Sequence, residues 1–311
     1  MTLAARAPEP RFRPSFSEPI TVQRLPVIGQ TTTHNAFEAV QRAALEAAGV
    51  ELQLERWDRR PHQLADAIEQ LRSAEFAGAL VMAPHKERAA TLVNALSEDA
   101  KATGAVNVIV RDGSKLRGHN TDVDGLRAGL TSLLPRVQGK WPRAAVVLGA
   151  GGGARAAVAV LVGAGFQRIS MFNRHLHRAE AVVTHFARVT RHMELRARPW
   201  HETIMESELS KAGLLIDASG SGAEDGSPIP ADLLPEGLHL LDLVLDRSAT
   251  ALMRDAKARG GMVANGQASF LASSAATFRL LTGGDPSPDV MRAALDAELG
   301  LPEEGAAVVG D

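Results

Sequence analysis

Two short segments place ionisable side chains just beyond apolar runs. These are Pro84-His85-Lys86 and Gly118-His119-Asn120-Thr121-Asp122. A lysine beside a carboxylate, partly withdrawn from water, can be held ready to exchange a proton with an alcohol. Lys86 and Asp122 are therefore the candidate proton-transfer pair. Each also fits a plainer role: a single lysine is most often a surface residue, and Asp122 can cap the helix that begins near Thr121.

A third segment is built for phosphate. The apolar run ending at Leu148 enters Gly149-Ala150-Gly151-Gly152-Gly153-Ala154, and an alanine-rich helical pattern follows. This is a G-x-G-x-x-A turn between strand and helix. Gly149 permits the tight turn, Gly151 lets backbone approach a pyrophosphate, and Ala154 allows close packing of helix on strand. The helix N-terminus offers free N–H groups to the phosphates. Where the next strand ends, NAD-binding chains usually carry an acid for the ribose 2′-OH. Here stand Asn173, Arg174 and His175, with Arg178 a turn later, and no acid occurs between Gly149 and Glu180. A guanidinium forks two hydrogen bonds onto a 2′-phosphate, so Arg174 and Arg178 argue for NADP.

The elements that must hold these residues alternate. Strands are expected at Val22–Ile28, Glu51–Trp57 and Gly78–Met82, with a hairpin of Ala105–Arg111 and Lys115–Gly118 about Asp112-Gly113. Helices are expected at Asn35–Ala48, His62–Phe76, Lys86–Leu96 and Thr121–Leu134. In the second series, strands fall at Ala144–Leu148, Arg168–Phe172, Leu214–Asp217, Leu240–Val244 and Met262–Ala264. Its helices fall at Gly152–Gly163, Leu176–Val189, Ala249–Arg259, Gln267–Leu281 and Pro288–Leu299. Strands alternating with helices imply α/β domains with largely parallel sheets. At roughly 100–200 residues per domain, 311 residues suggest two. Residues 21–121 form a substrate-binding catalytic domain completed by helices in 267–300. Residues 122–266 are expected to form a Rossmann domain, with a flexible arm expected at 1–20 and a tail at 301–311.

Composition narrows the function. Lys and Arg number 34 against 36 acids, which argues against a general nucleic-acid binder. The absence of cysteine excludes disulfides and thiolate chemistry and fits a cytoplasmic protein. No apolar stretch reaches membrane-spanning length. The ten histidines show no metal-binding spacing.

Taken together, Pro84-His85-Lys86, Gly104-Ala105-Val106-Asn107, Asn120-Thr121-Asp122, Gly149–Ala154, Asn173-Arg174 with Arg178, and Leu241-Asp242-Leu243-Val244 resemble the shikimate dehydrogenase family. Order and spacing match from about residue 22 to about 300. The resemblance implies an NADP-dependent dehydrogenase of aromatic amino-acid (chorismate) biosynthesis, acting on a cyclic polyol carboxylate in a cleft between two α/β domains. It implies Lys86 and Asp122 as catalytic residues and Asn107 as a holder of substrate hydroxyls. Around the cofactor it implies Gly149, Ala150, Gly151, Gly152, Gly153, Ala154, Asn173, Arg174, Arg178, Ala218, Ser219, Val244 and Gly266. A monomer or homodimer is expected.

The departures from the family pattern concern the substrate. The family's serine pair near the N-terminus is replaced by a shortened stretch carrying Thr31, Thr32 and Thr33. Met82 stands for a threonine, Leu245 for a tyrosine and Ser273 for a glutamine. These residues are expected to line the substrate site with fewer polar contacts, so a site differing in grip or in substrate follows. Quinate-type activity is one alternative. A non-catalytic NADP-binding regulator of the same fold is another, opposed by the retained Lys86 and Asp122.

Overall fold

The computed structural model describes residues 23–30, 35–133, 143–220, 226–245 and 249–301. They form two compact units. The first contains residues 23–97, 106–121 and 273–301; the second contains the rest.

In the first unit, strand β1 (Gln23–Gly29) lies inside a six-stranded sheet. Its apolar run is buried from Leu25 onward, as an inner strand covered on both faces requires. Helix α1 (Asn35–Ala47) follows, then β2 (Leu52–Asp58), a single 3-10 turn (Pro61–Gln63) and α2 (Leu64–Gln70). Next come β3 (Gly78–Val81), the one-turn α3 (Lys86–Ala89) and β4 (Ala95–Leu96). The sheet order is β2-β1-β3, then the hairpin strands β5 (Val108–Asp112) and β6 (Lys115–His119), then β4. β1 runs parallel to β2 and β3, whereas β5 runs antiparallel to β3 and β6.

The second unit opens with α4 (Glu98–Thr103) and α5 (Asp122–Leu133). It continues as β7 (Ala144–Leu148), α6 (Gly152–Gly163), β8 (Arg168–Phe172), α7 (Leu176–Phe186), β9 (Glu194–Arg198) and α8 (Glu202–Leu209). Its last elements are β10 (Leu214–Asp217), β11 (His239–Asp242), α9 (Ala251–Ala258) and β12 (Val263–Ala264). All six strands are parallel, in the order β9-β8-β7-β10-β11-β12. This is the doubly wound order of dinucleotide-binding sheets, and its switch point falls between β7 and β10. One buried apolar cluster packs α5, α6 and α7 on this sheet, and a second packs α8 and α9. Helix α10 (Gln267–Thr282) divides between the two units after Ala272. Helix α11 (Pro288–Glu298) packs on α1 in the first unit.

The expected helix Lys86–Leu96 is a correction: it stops at Ala89. Asn94 explains the stop, because its backbone N–H donates to Leu116 O (2.9 Å) and its Oδ1 accepts from Leu116 N (2.9 Å). Those bonds draw the chain onto β6 as a short strand rather than another helical turn. The expected helix His62–Phe76 is likewise shorter, ending in turns after Gln70. Three further elements, α4, β9 and α8, lie outside the expected set; each is short and buries only a few residues. In β9, Leu195 and Ala197 pack on the core, while Glu194 pairs with Arg168 (3.2 Å) and Arg196 (2.9 Å).

Candidate active site

In the first unit, backbone bonds bring three of the chemical segments to one end of the sheet. Val81 N–H donates to Asn107 O (2.8 Å), Val106 N–H to Lys86 O (2.8 Å), and Asn107 N–H to His119 O (3.0 Å). Lys86, Asn107 and His119 therefore occupy neighbouring lanes where β3 and β6 end and β5 begins. Lys86 is half-buried at the start of α3. His85, which precedes it, is buried with Nε2 2.8 Å from Arg59 O. This imidazole anchors the turn to the end of β2. Met82 is half-buried, its N–H donating to Ile28 O (2.8 Å).

Asn107 is held by its amide. Its Oδ1 accepts from Thr121 N (2.8 Å), and its Nδ2 donates to Thr121 Oγ1 (2.7 Å). The Thr121 hydroxyl also lies 3.0 Å from Ser273 Oγ and 2.9 Å from Thr277 Oγ1. All four side chains are buried. A small polar network thus fixes the residue before Asp122, and with it the backbone entering α5. Ser273, expected at the substrate, is part of this network. Thr31, Thr32 and Thr33 lie outside the described residues.

Asp122 begins α5 and is half-buried; it and Leu245 belong to the second unit, whereas Lys86, Met82, Asn107 and Ser273 belong to the first. Burial, aided by the positive charge of Arg117, pushes the His119 imidazole down to about 4. It is therefore neutral at physiological pH.

The second unit holds the glycine turn expected to cradle a dinucleotide. Gly149 has φ +103°, and a Cβ there would collide with Ala218 O, so only glycine fits this turn. Its N–H donates to Phe172 O (2.8 Å). Gly151 caps α6 in extended backbone, and a Cβ there would meet nothing within 4 Å. The turn is thus open at the point where a pyrophosphate would approach the N–H groups of Gly152, Gly153 and Ala154. Ala150 and Ala154 are buried in the core behind it. Gly153 faces Leu243 and Ala218, and Gly266 packs against the Leu243 backbone. Ala218, Ser219 and Val244 follow the carboxyl ends of β10 and β11, all half-buried.

At the end of β8, Asn173 Oδ1 accepts from His175 N (2.9 Å), turning the chain into α7. Arg174 and Arg178 are exposed on either side of this turn. Neither pairs with a carboxylate among the described residues. Two unneutralised guanidiniums at a helix N-terminus sit where cations are disfavoured unless an anion arrives.

Two buried acids end β10 and β11: Asp217, and Asp242 of the Leu241–Val244 segment, to neither of which sequence reasoning assigned a role of its own. Asp217 and Asp242 stand opposite each other in the β10–β11 register. Asp217 Oδ1 accepts from Ser219 N (2.8 Å) and Asp242 Oδ1 from Val244 N (2.9 Å). Asp242 Oδ2 also accepts from Thr250 Oγ1 (2.6 Å). Burial pushes the Asp217 carboxyl up to about 6, against the pull of its Ser219 hydrogen bonds; Asp242 is raised by burial too. Their signal lay in the sequence as an Asp at each strand end, two residues before a loop position.

An α/β unit carrying Lys86 and Asn107 at one end of its sheet, together with a doubly wound unit shaped for a dinucleotide, defines a nucleotide-dependent dehydrogenase class. Comparison with known proteins specifies it. Residues 27–109 match the model of the shikimate dehydrogenase substrate binding domain. The chain is 34% identical over 279 residues to shikimate dehydrogenase (NADP(+)) of Symbiobacterium thermophilum, covering 88% of this chain and 94% of that one. It is similar to the crystal structure of shikimate 5-dehydrogenase from Thermus thermophilus in complex with NADP(H) and shikimate. That match has a TM-score of 0.73 and 33% identity over 89% of this chain and 100% of that one. It also resembles quinate dehydrogenase from Corynebacterium glutamicum in complex with NAD, with a TM-score of 0.75 and 26% identity over 88% and 99% of the two chains. The chain belongs to the shikimate dehydrogenase family of oxidoreductases. The expected family and α/β class are borne out, and NADP, argued from Arg174 and Arg178, is the cofactor named for the Symbiobacterium and Thermus shikimate dehydrogenases.

Proposed function

We propose that this protein is an NADP-dependent dehydrogenase interconverting 3-dehydroshikimate and shikimate, or a closely related cyclic polyol carboxylate such as quinate. The observation that carries this reading is the ladder that sets Lys86, Asn107 and the segment entering Asp122 side by side. NADP, when bound, supplies the hydride acceptor or donor. The rest of the chemistry belongs to the chain. Lys86 exchanges the proton with the reacting oxygen, and Asp122 orients and tunes Lys86. Asn107, its amide plane fixed by Thr121, holds a neighbouring hydroxyl. Met82, Ser273 and Leu245 offer the ring few polar contacts, which relaxes the choice among cyclic acids. The turn at Gly149–Ala154 takes the pyrophosphate, and Asn173, Arg174 and Arg178 clamp the 2′-phosphate. Ala218, Ser219, Val244 and Gly266 complete the cradle.

The test is NADP+ reduction followed by absorbance with shikimate and quinate as substrates. Turnover of at least one is expected. Lys86→Ala lowers kcat by roughly 10²- to 10⁴-fold, the usual worth of a positioned acid–base group, while NADP binding persists. NADP binding without turnover on either substrate, unchanged by Lys86→Ala, would instead favour a regulatory protein.

A further inference from the structure

The cations of the first unit are mostly neutralised. Arg24 pairs with Glu55 and Glu75, Arg42 and Arg56 with Glu38, and Arg72 with Glu69. Arg111 is taken up by the carbonyls of Phe76 and Gly113. Arg59 differs from all of these. Among the described residues it has no carboxylate partner, and its guanidinium donates only to the neighbouring Asp58 carbonyl (3.0 Å). The guanidinium lies 5.0 Å from the centroid of the Trp57 ring. Trp57 is buried and packs edge-on against Phe76. That ring is a rigid platform, and a cation resting on it is held without being neutralised.

Its position is also specific. Arg59 follows the last residue of β2, where Asp58 is in register with Gly29 at the end of β1. Its N–H donates to Gly29 O (3.0 Å), and its carbonyl is the partner of His85 Nε2. His85 is the residue before Lys86. These two bonds, one to backbone and one to the His85 imidazole, fix the backbone of Arg59 between the exit of β1 and the turn that presents Lys86. A half-buried, preoriented guanidinium with open N–H donors is suited to a carboxylate, which accepts two parallel hydrogen bonds.

We propose that Arg59 binds the carboxylate of the substrate and selects an anionic ring acid over its uncharged counterpart. This rests on the proposed dehydrogenase reading and adds to it the residue that recognises the acid group. Arg59 takes no part in proton or hydride transfer, so its loss acts on binding and not on the chemical step.

The experiment compares the full-length protein with Arg59→Ala, Arg59→Lys and Arg59→Gln, each checked for unchanged thermal melting and NADP affinity. Shikimate and its methyl ester are the probes, read by initial rates and by calorimetric binding in the presence of NADP. Arg59→Ala should raise KM and Kd for shikimate roughly 10- to 100-fold, the worth of a charge-assisted pair. It should leave kcat and the ester's constants within about twofold, a shift too small to be a lost hydrogen bond. Arg59→Lys should recover part of the loss, since it restores the charge without the fork, and Arg59→Gln should recover little. Equal effects on acid and ester, or no effect on shikimate, would overturn the assignment. So would a wild-type protein that binds the ester as well as the acid. Failure of the dehydrogenase reading is separately visible as absent wild-type turnover, because the binding comparison does not require turnover.

Discussion

At Arg174 and Arg178 the chemistry is decided by what is missing beside them. No acid follows β8 before Glu180, and both guanidiniums are exposed without a carboxylate partner among the described residues. Replacing Arg174 with Ala should therefore raise KM for NADP by roughly 10- to 100-fold, the worth of a charge-assisted pair, and Arg178→Ala by a comparable factor. KM for NAD should hardly move, because NAD lacks the phosphate proposed to meet these side chains. Initial-rate kinetics with both cofactors measure the ratio, and a parallel rise for NAD would show that the arginines serve the fold instead. This preference was legible in the sequence because the motif is local: a glycine turn, one strand, then the decisive residue. Arg59 was not legible. What distinguishes it is a pair of long-range bonds at its backbone, its N–H to Gly29 O and its carbonyl to the His85 imidazole, and an aromatic platform packed against Phe76. Thr121 shows the same limit. Its neighbourhood includes Ser273 and Thr277, more than 150 residues further along the chain.

At the level of elements, the carboxyl ends of β10 and β11 carry a titratable load. Asp217 has a carboxyl pushed up to about 6 from 3.8 by burial, and the neighbouring Asp242 is raised as well. A carboxyl whose folded value lies above its unfolded value favours the folded state while protonated. Its contribution is complete below about pH 4, declines as pH rises toward 6, and stays lost above that. At 1.36 kcal/mol per unit, the loss for Asp217 is about 3 kcal/mol at most. Asp217→Asn keeps an oxygen for the Ser219 N–H and carries no charge. It should be more stable than the parent by about 1–3 kcal/mol at pH 7.5 and roughly equal to it at pH 4. Urea unfolding at the two pH values checks this, and an equal effect at both would remove ionisation as the cause. His119 acts in the opposite window. Its folded value near 4 lies below the ordinary 6.5, so stability falls as pH drops from about 6.5 toward 4. The strands bearing these groups were expected from their apolar runs, whereas β9 and α8 were not. Both reach the core, β9 through Leu195 and Ala197 and α8 through Met205 and Leu209. These apolar positions are few, and ion pairs such as Glu194–Arg168 and Arg198–Glu208 occupy the residues beside them.

On the scale of the whole chain, the division into two units makes ligand effects separable. The cofactor cradle is built entirely from residues after Asp122, and the Lys86–Asn107–His119 ladder entirely from residues before it. Anything that binds the folded state and not the unfolded one stabilises it by mass action, by about 2.7 kcal/mol at a concentration 100 times Kd. Because opening of the chain is local as well as global, that stabilisation should appear first where the ligand sits. Saturating NADP should slow amide exchange at Gly149–Ala154 and in the residues following β8, β10 and β11, with little change along β3, β5 and β6. Adding shikimate should then protect the segments around Lys86, Asn107 and Arg59. Hydrogen–deuterium exchange read by mass spectrometry on the intact protein resolves these segments. Protection by NADP spread evenly over the β1–β6 sheet would contradict a cofactor site confined to the β7–β12 unit.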